Sequence, residues 1–312
     1  VAVANAQEFF VATNGTDTAA GDRERPFATI ERAQQAAREA RKAQPAQGVT
    51  VQIRGGEYFL DETLTFTPED SGTPAQSVTF KAAAGEQVLI SGGRKLTGFK
   101  GDDKGRWTLE IPEVAQGKWV FNQLFVNGQR RYRPRALKDS YFFIGGEVAP
   151  SKPDSKGFDR FRFRAGDLKA GWKNLEHVEV LVFHNWFMSR LPVGSIDEQR
   201  NILTLAGTTP NKERWGGLNT NWRYIVENVY EALAPGEFYL DRKTGVLTYV
   251  PLEGEDPAQA TVIAPYLETV LSLKGDVAQK KYVEHLRFEG LSFSHSNWKM
   301  GPQGYSFVQA EA

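Results

Sequence analysis

Four stretches of this sequence gather aromatic, hydrogen-bonding and charged residue types that could meet a polar ligand. His184, Asn185 and Trp186, followed by Ser189 and Arg190, close an apolar strand pattern. A strand-end His beside Trp and Arg offers a stacking plane, hydrogen-bonding nitrogens and a cation. Glu227, Asn228 and Glu231 lie near Trp222 and Tyr224. If that segment is extended, Glu227 and Glu231 face one side and offer acceptors to hydroxyl groups. His295, with Asn297 and Trp298, stands where a strand pattern reaches a turn. The densest basic run is Arg130, Arg131, Tyr132, Arg133, Pro134 and Arg135, in which Arg133 or Arg135 is placed to grip a carboxylate with both arms of its fork.

Each stretch also has a plainer reading. Glu227 and Glu231 fit a solvated strand edge, His184 fits a hydrogen-bonded structural residue, and the Arg run fits a solvated face or internal ion pairs. Large aromatics more often build cores than bind ligands.

Other chemistries are poorly served. The chain has 38 basic and 38 acidic residues among 312, so no global field points to nucleic acid or an anionic membrane. There is no cysteine, hence no disulfide and no thiolate metal site, a weak pointer to a bacterial source. The four His are far apart, and no cluster has metal-ligand spacing. Asp17 and Asp22 lie in a Gly/Thr loop of the kind that holds calcium, but the ordered ligand pattern is missing, so no cofactor is expected. Phosphate-cradling loops and nucleophile elbows are absent. No run approaches the ~20 apolar residues of a membrane span.

The elements that must position these residues read as all-β. Residues 48–93 form a series of short strands, Val49–Ile53, Leu64–Phe66, 78–81 and Val88–Ser91, punctuated by Gly and Pro. The same texture returns in 270–275 and 283–293, after a differently textured middle. This predicts one parallel solenoid, interrupted by an insertion and then resumed. Residues 29–43 read as a helix, with Thr29 as N-cap and an apolar stripe of Ile30, Ala33, Ala37 and Ala40. It would plug the first open end of the solenoid. The middle, 97–265, reads as hairpins, with Asn127-Gly128 favouring a type I′ turn and Gly245 suited to a second.

The expected organisation is therefore 1–6 as a signal-peptide remnant, 7–96 as cap and first coils, 97–265 as an inserted antiparallel β domain, and 266–312 as resumed coils. Ala4-Asn5-Ala6 fits the small-x-small rule of signal cleavage. Residues 306–312 carry no capping signal, and fewer than about three repeats are rarely stable alone, so the expectation is a solenoid continuing beyond Ala312.

These residues also carry a resemblance. Residues 9–17, then 26–30 and the Ala-rich helix, resemble the opening of secreted right-handed parallel β-helix proteins of the pectate-lyase-like kind. Residues 56–60, 68–73, 90–93, 124–128, 236–241 and 290–295 continue the match along nearly the whole chain. The set is similar to the β-helix glycosidases around glycoside hydrolase family 141. That resemblance implies a secreted or periplasmic enzyme of plant cell-wall polysaccharides, with α-L-fucosidase and xylanase activities both represented. It implies catalytic carboxylates in later coils, beyond residue 312, and the remaining coils as this chain's structural partner. Glycosidases need two carboxyl groups, roughly 5 Å apart for retention and about 6.5–9.5 Å for inversion. Here Asp and Glu are abundant but scattered, and no pair is legible.

Three functions are thus expected in order: a glycoside hydrolase, a polysaccharide lyase on a uronate-containing glycan, and a non-catalytic glycan-binding β-helix. The expected contacts to a poly- or oligosaccharide are His184, Trp186, Arg190, Asn228, Glu231, His295 and Trp298, with Arg133 and Arg135.

Overall fold

The computed structural model describes residues 6–306. The chain divides into two compact units, one made of Val1–Lys95 with Ile263–Asn297 and the other of Leu96–Val262 with Trp298–Ala312. Residues 1–5, all but the last residue of the expected signal remnant 1–6, and 307–312, most of the uncapped tail, lie outside the described residues. Strands dominate both units.

The first unit is built from parallel ladders. Gln7–Val11, Val49–Ile53, Val78–Ala82 and Leu286–Glu289 pair side by side in that order. Gly56–Phe59, Val88–Ser91 and Leu291–Ser294 form a second parallel ladder, and Leu64–Phe66 with Leu271–Leu273 a third. Because side chains alternate along a strand, in-register pairing stacks like upon like. Phe9, Val51, Phe80 and Phe288 occupy one column of partners. Phe66 meets Phe80 and Phe288 edge-on, each at 5.1 Å between ring centres, a geometry worth about 0.5–1.5 kcal/mol per pair beyond burial. Val49, Val51, Ile53, Val78, Val88 and Ile90 complete an interior almost closed to solvent.

The helix Ile30–Ala43 starts where Thr29 predicts, its hydroxyl accepting from Arg32 N. Ile30, Ala33, Ala36 and Ala37 are buried against Gln7–Val11 and Val49–Ile53. Ala40 packs at the margin of the same core. Asp17 secures the helix start, accepting from Ala28 N, Thr29 N and the Thr29 hydroxyl. Asp22 is taken by Arg25 and by two backbone amides. Both carboxylates of the acidic loop therefore serve the loop itself. Among the described residues no group of three or more His, Asp or Glu is placed to hold a metal ion.

One buried charge is fully occupied. Asp70 receives Arg38 through both carboxylate oxygens at 2.6 and 2.7 Å, Gln34 Nε2 at 3.1 Å and Thr67 N at 2.6 Å. A carboxylate with this many donors is tolerable in an apolar surrounding, and it ties the helix to the turn at Pro68–Asp70.

The second unit is antiparallel. Its larger sheet runs Phe142–Phe143, Arg223–Glu227, Glu179–Phe183, Met188–Asp197, Ile202–Leu205, Arg160–Arg162 and Gly146–Glu147, with Tyr305–Ser306 pairing beside Met188–Asp197. The described residues 298–306 thus join this unit, whereas 266–312 is expected from the sequence to be resumed coils. A smaller sheet holds Phe238–Leu240, Val246–Tyr249, Trp107–Glu110 and Lys100–Gly101. The expected Asn-Gly turn joins Leu124–Val126 to Gln129–Arg131, with Asn127 and Gly128 both at positive φ.

In the strand Glu179–Phe183, Glu179, Val180, Leu181 and Val182 are all buried, because this strand is central and both its faces are covered. One local expectation is corrected. Glu227 and Glu231 do not share a face. The strand ends at Glu227, Asn228 turns the chain at φ 68°, and Tyr230–Ala232 forms a 3₁₀ turn.

Candidate functional site

Two clusters in the second unit gather polar and aromatic side chains at an open surface. The first is a cleft of about 940 Å³ at one end of the larger sheet. Glu179–Phe183 and Met188–Asp197 are joined by a tight connection in which His184 N donates to Phe187 O, and this projects Asn185 and Trp186 outward. Trp186 is 54% exposed. Its ring lies 5.7 Å from that of Trp215, 25° from parallel. Trp215 comes from the short turn Arg214–Gly216 and Trp222 from just before the strand Arg223–Glu227. Asn219 and Thr220 add hydrogen-bonding groups to the lining, and Lys212 and Arg214 add cations.

His184 lies beneath this cleft and is not among its lining residues. It is buried, stacked on Phe187 at 4.2 Å, edge-on to Trp222, and bonded through Nε2 to the Ser189 hydroxyl at 2.8 Å. Burial pushes its imidazole down to about 4, with the Gly217 backbone opposing, so it is neutral at pH 7. The plainer reading of His184 is therefore the structural fact, and its packing supports the ring of Trp222.

The second cluster is a buried ion network. Glu179 and Glu227 are direct partners on neighbouring antiparallel strands. Arg133 holds Glu179 through both nitrogens at 2.7 and 2.6 Å and reaches Glu227 at 3.2 Å. Arg190 Nη1 bridges the same two carboxylates at 2.7 and 3.0 Å. Arg135 Nε donates to the remaining oxygen of Glu227 at 2.9 Å. Burial would push Glu179 up; the Arg133 guanidinium, helped by Arg190, overrides it and brings the carboxyl down to about 2. Glu227 is lowered for the same reasons. Arg242 stands behind, donating to Asn122 at 2.9 Å, its basicity reduced by burial.

Above this network is a concavity of about 220 Å³, bordered by Arg130, Arg135, Arg190, Tyr132 and Trp298. Trp298 is 44% exposed, lies edge-on to Tyr305, and accepts from Asn122 Nδ2 through its carbonyl.

The nine expected contact residues therefore separate. Trp186 lines the aromatic cleft, while Arg133, Arg135, Arg190 and Trp298 meet at the ion network. The corner expected from His184, Trp186 and Arg190 does not form, because successive strand residues point to opposite faces and Ser189 and Arg190 part company. Asn228 is buried and donates to His177 O, a structural duty. Glu231 accepts from Lys173 N, away from Glu227. His295, in the first unit, is buried with Nδ1 against the Ser91 hydroxyl at 2.8 Å, where the sequence reading had it facing substrate.

Sequence reasoning missed Trp215, Lys212, Arg214, Glu179 and Arg242. A Trp set among charges and two glycines in 212–217 is a legible sign of a ring at the surface, and a Glu within the apolar run 178–183 is a legible sign of a buried ion pair.

No family model matches the chain. A solved structure titled as a glycoside hydrolase superposes with a TM-score of 0.76 at 27% identity, covering 94% of this chain and 51% of that one. Over that length the two share a fold. The chain thus spans about half the length of this neighbour. The uncharacterized protein YwoF of Bacillus subtilis (strain 168) is 39% identical over 83 residues, which are 27% of this chain and 15% of YwoF. A complex of XylC with xylose aligns at a TM-score of 0.40 and 13% identity over 93% of this chain and 35% of that one, too loosely to bear on function.

Proposed function

We propose that this chain is part of a glycoside hydrolase acting on plant cell-wall or related polysaccharide, of α-L-fucosidase or xylanase type. The observation that carries the reading is the Trp186–Trp215 pair over a polar cleft, Trp186 open to solvent and Trp215 half-buried beside it. Large exposed rings cost free energy unless something covers them, and sugar rings present the C–H faces that stack on indole while their hydroxyls meet Asn and Thr side chains. The likeness to a solved glycoside hydrolase over nearly the whole chain supports the same class.

In this reading the three parallel ladders are the first coils of a right-handed parallel β-helix, continued in the half of the protein that the neighbour has and these residues do not span. The catalytic carboxyl pair belongs to those coils. The carboxylates Glu179 and Glu227, held below their ordinary range by Arg133 and Arg190, are unsuited to act as a general acid. The protein would act outside the cytoplasm, in the periplasm or secreted, where such polymers are met.

The test is binding and turnover on xylan, pectic and fucosylated oligosaccharides with the whole protein. Trp186→Ala should weaken glycan binding by roughly tenfold, about the loss of one stacked ring. Release of reducing ends supports hydrolysis; an unsaturated, ultraviolet-absorbing product would replace it with a lyase. Binding without cleavage on any glycan would leave a glycan-binding protein, and no binding at all would overturn the reading.

A further inference from the structure

We propose that the concavity over the Arg133–Glu179–Glu227 network is a subsite for an acidic sugar, gripping the carboxylate of a uronate. The inference rests on the glycan reading above and adds the charge of the ligand.

Four guanidinium groups, Arg133, Arg135, Arg190 and Arg242, surround two carboxylates, Glu179 and Glu227. Two positive charges remain over, in a chain whose total charge is zero. Arg135 is 40% exposed and the others are largely covered, so the excess of one sign is partly buried and costly, and an incoming anion relieves it. The donors for that anion are also in place. Arg190 uses Nη1 for both carboxylates, and its Nε and Nη2 have no acceptor among the described residues. Arg130 stands exposed at the same rim, its guanidinium without a partner among the described residues. Guanidinium nitrogens in parallel match the two oxygens of a carboxylate.

The border then selects the rest of the ligand. Tyr132 is 64% exposed and Trp298 also open, so two ring faces flank the cations. The volume of about 220 Å³ admits a monosaccharide unit rather than a polymer segment. A carboxylate on a ring with apolar faces satisfies cations and aromatics together. A sulfated sugar shares the charge, and its tetrahedral group separates the two in the experiment.

The experiment is calorimetric titration of the whole protein with three oligosaccharides of one backbone: uronate-bearing, carboxyl-reduced and sulfated. Acetate is a fourth probe. The uronate form should bind about tenfold tighter than the reduced form, with the gap narrowing as salt rises. Arg135→Gln and Arg130→Gln should each narrow the gap while leaving the affinity for the reduced form in place. The second variant touches no ion pair and guards against misfolding of the first. Equal binding of acidic and reduced forms, or a gap unchanged in both variants, overturns the subsite. Tighter binding of the sulfated form, or acetate matching the uronate, overturns the assignment to a uronate. If reduced glycan still binds in a Trp186-dependent way, only this inference falls. If no glycan binds, both readings fall.

Discussion

Glu179 and Glu227 face each other across a pair of antiparallel strands, and Arg133 and Arg190 each bridge the two carboxylates. Like charges directly opposite on a sheet repel, so this pairing stands only because the guanidinium groups lie between them.

Removing one partner leaves a charge uncompensated. Glu179→Gln should lower stability by about 3–5 kcal/mol in urea unfolding, because Glu179 is only 2% exposed and its guanidinium partners then lose their main acceptor. Glu176→Gln, which removes an ion pair to Lys243 at the surface, should cost less than about 1 kcal/mol. Equal effects would show that burial does not govern these pairs.

Acid should weaken the fold in two stages. His184 is held at about 4, below its ordinary 6.5, so the unfolded chain binds more protons between those values and stability falls as pH drops through that window. Glu179 is held at about 2, below its ordinary 4.5, so its stabilisation is complete above 4.5 and is lost as pH falls toward 2. Melting temperature against pH should therefore decline below about 6.5 and more steeply below about 4.5. In His184→Phe the first decline should shrink and the second remain.

The Asp70 clamp should matter to the first unit. Asp70→Asn removes the ion pair with Arg38 and is expected to cost roughly 2–4 kcal/mol. Hydrogen exchange should accelerate in Ile30–Ala43, whose Gln34 and Arg38 lose their shared acceptor, before it accelerates in Glu179–Phe183. Uniform acceleration would show that the clamp is not local.

Asn228 combines a positive φ with a bond from its Nδ2 to His177 O. Asn228→Ala should cost about 1–2 kcal/mol for the backbone alone, and Asn228→Gly should recover part of that loss. Glycan affinity should be unchanged in both, since the side chain faces the interior. A binding defect in a folded variant would restore Asn228 to the list of contacts.

The sequence made the strands legible where each was short, β-branched and closed by Gly or Pro, as in Val49–Ile53 and Val88–Ser91, and where a cap was explicit, as at Thr29. It also marked the Asn127-Gly128 turn, because a positive φ at two successive residues has few chemical solutions. The site was harder. Arg133, Glu179, Arg190 and Glu227 are scattered over nearly one hundred positions, and only strand register brings them together. Trp186 was legible as a residue, but its partner Trp215 comes from a separate loop whose path no local pattern encodes. His184 and His295 look alike as strand-end histidines, and burial, which periodicity reports poorly at strand ends, makes both structural.

The parallel ladders of the first unit set an order of events during synthesis. The Thr63 hydroxyl donates to Thr269 O across a sequence separation of 206, and Leu64–Phe66 finds its neighbour only in Leu271–Leu273. A ribosome must therefore emit the Leu96–Val262 part of the antiparallel unit before the early strands can finish pairing. Closing so long a loop is slow when its contents are floppy and faster once they have collapsed to a folded body with nearby ends. The antiparallel unit thus acts as a timer for the ladders, and a chain stalled before residue 271 would present the edges of Leu64–Phe66 and Val88–Ser91 bare to chaperones and to other chains.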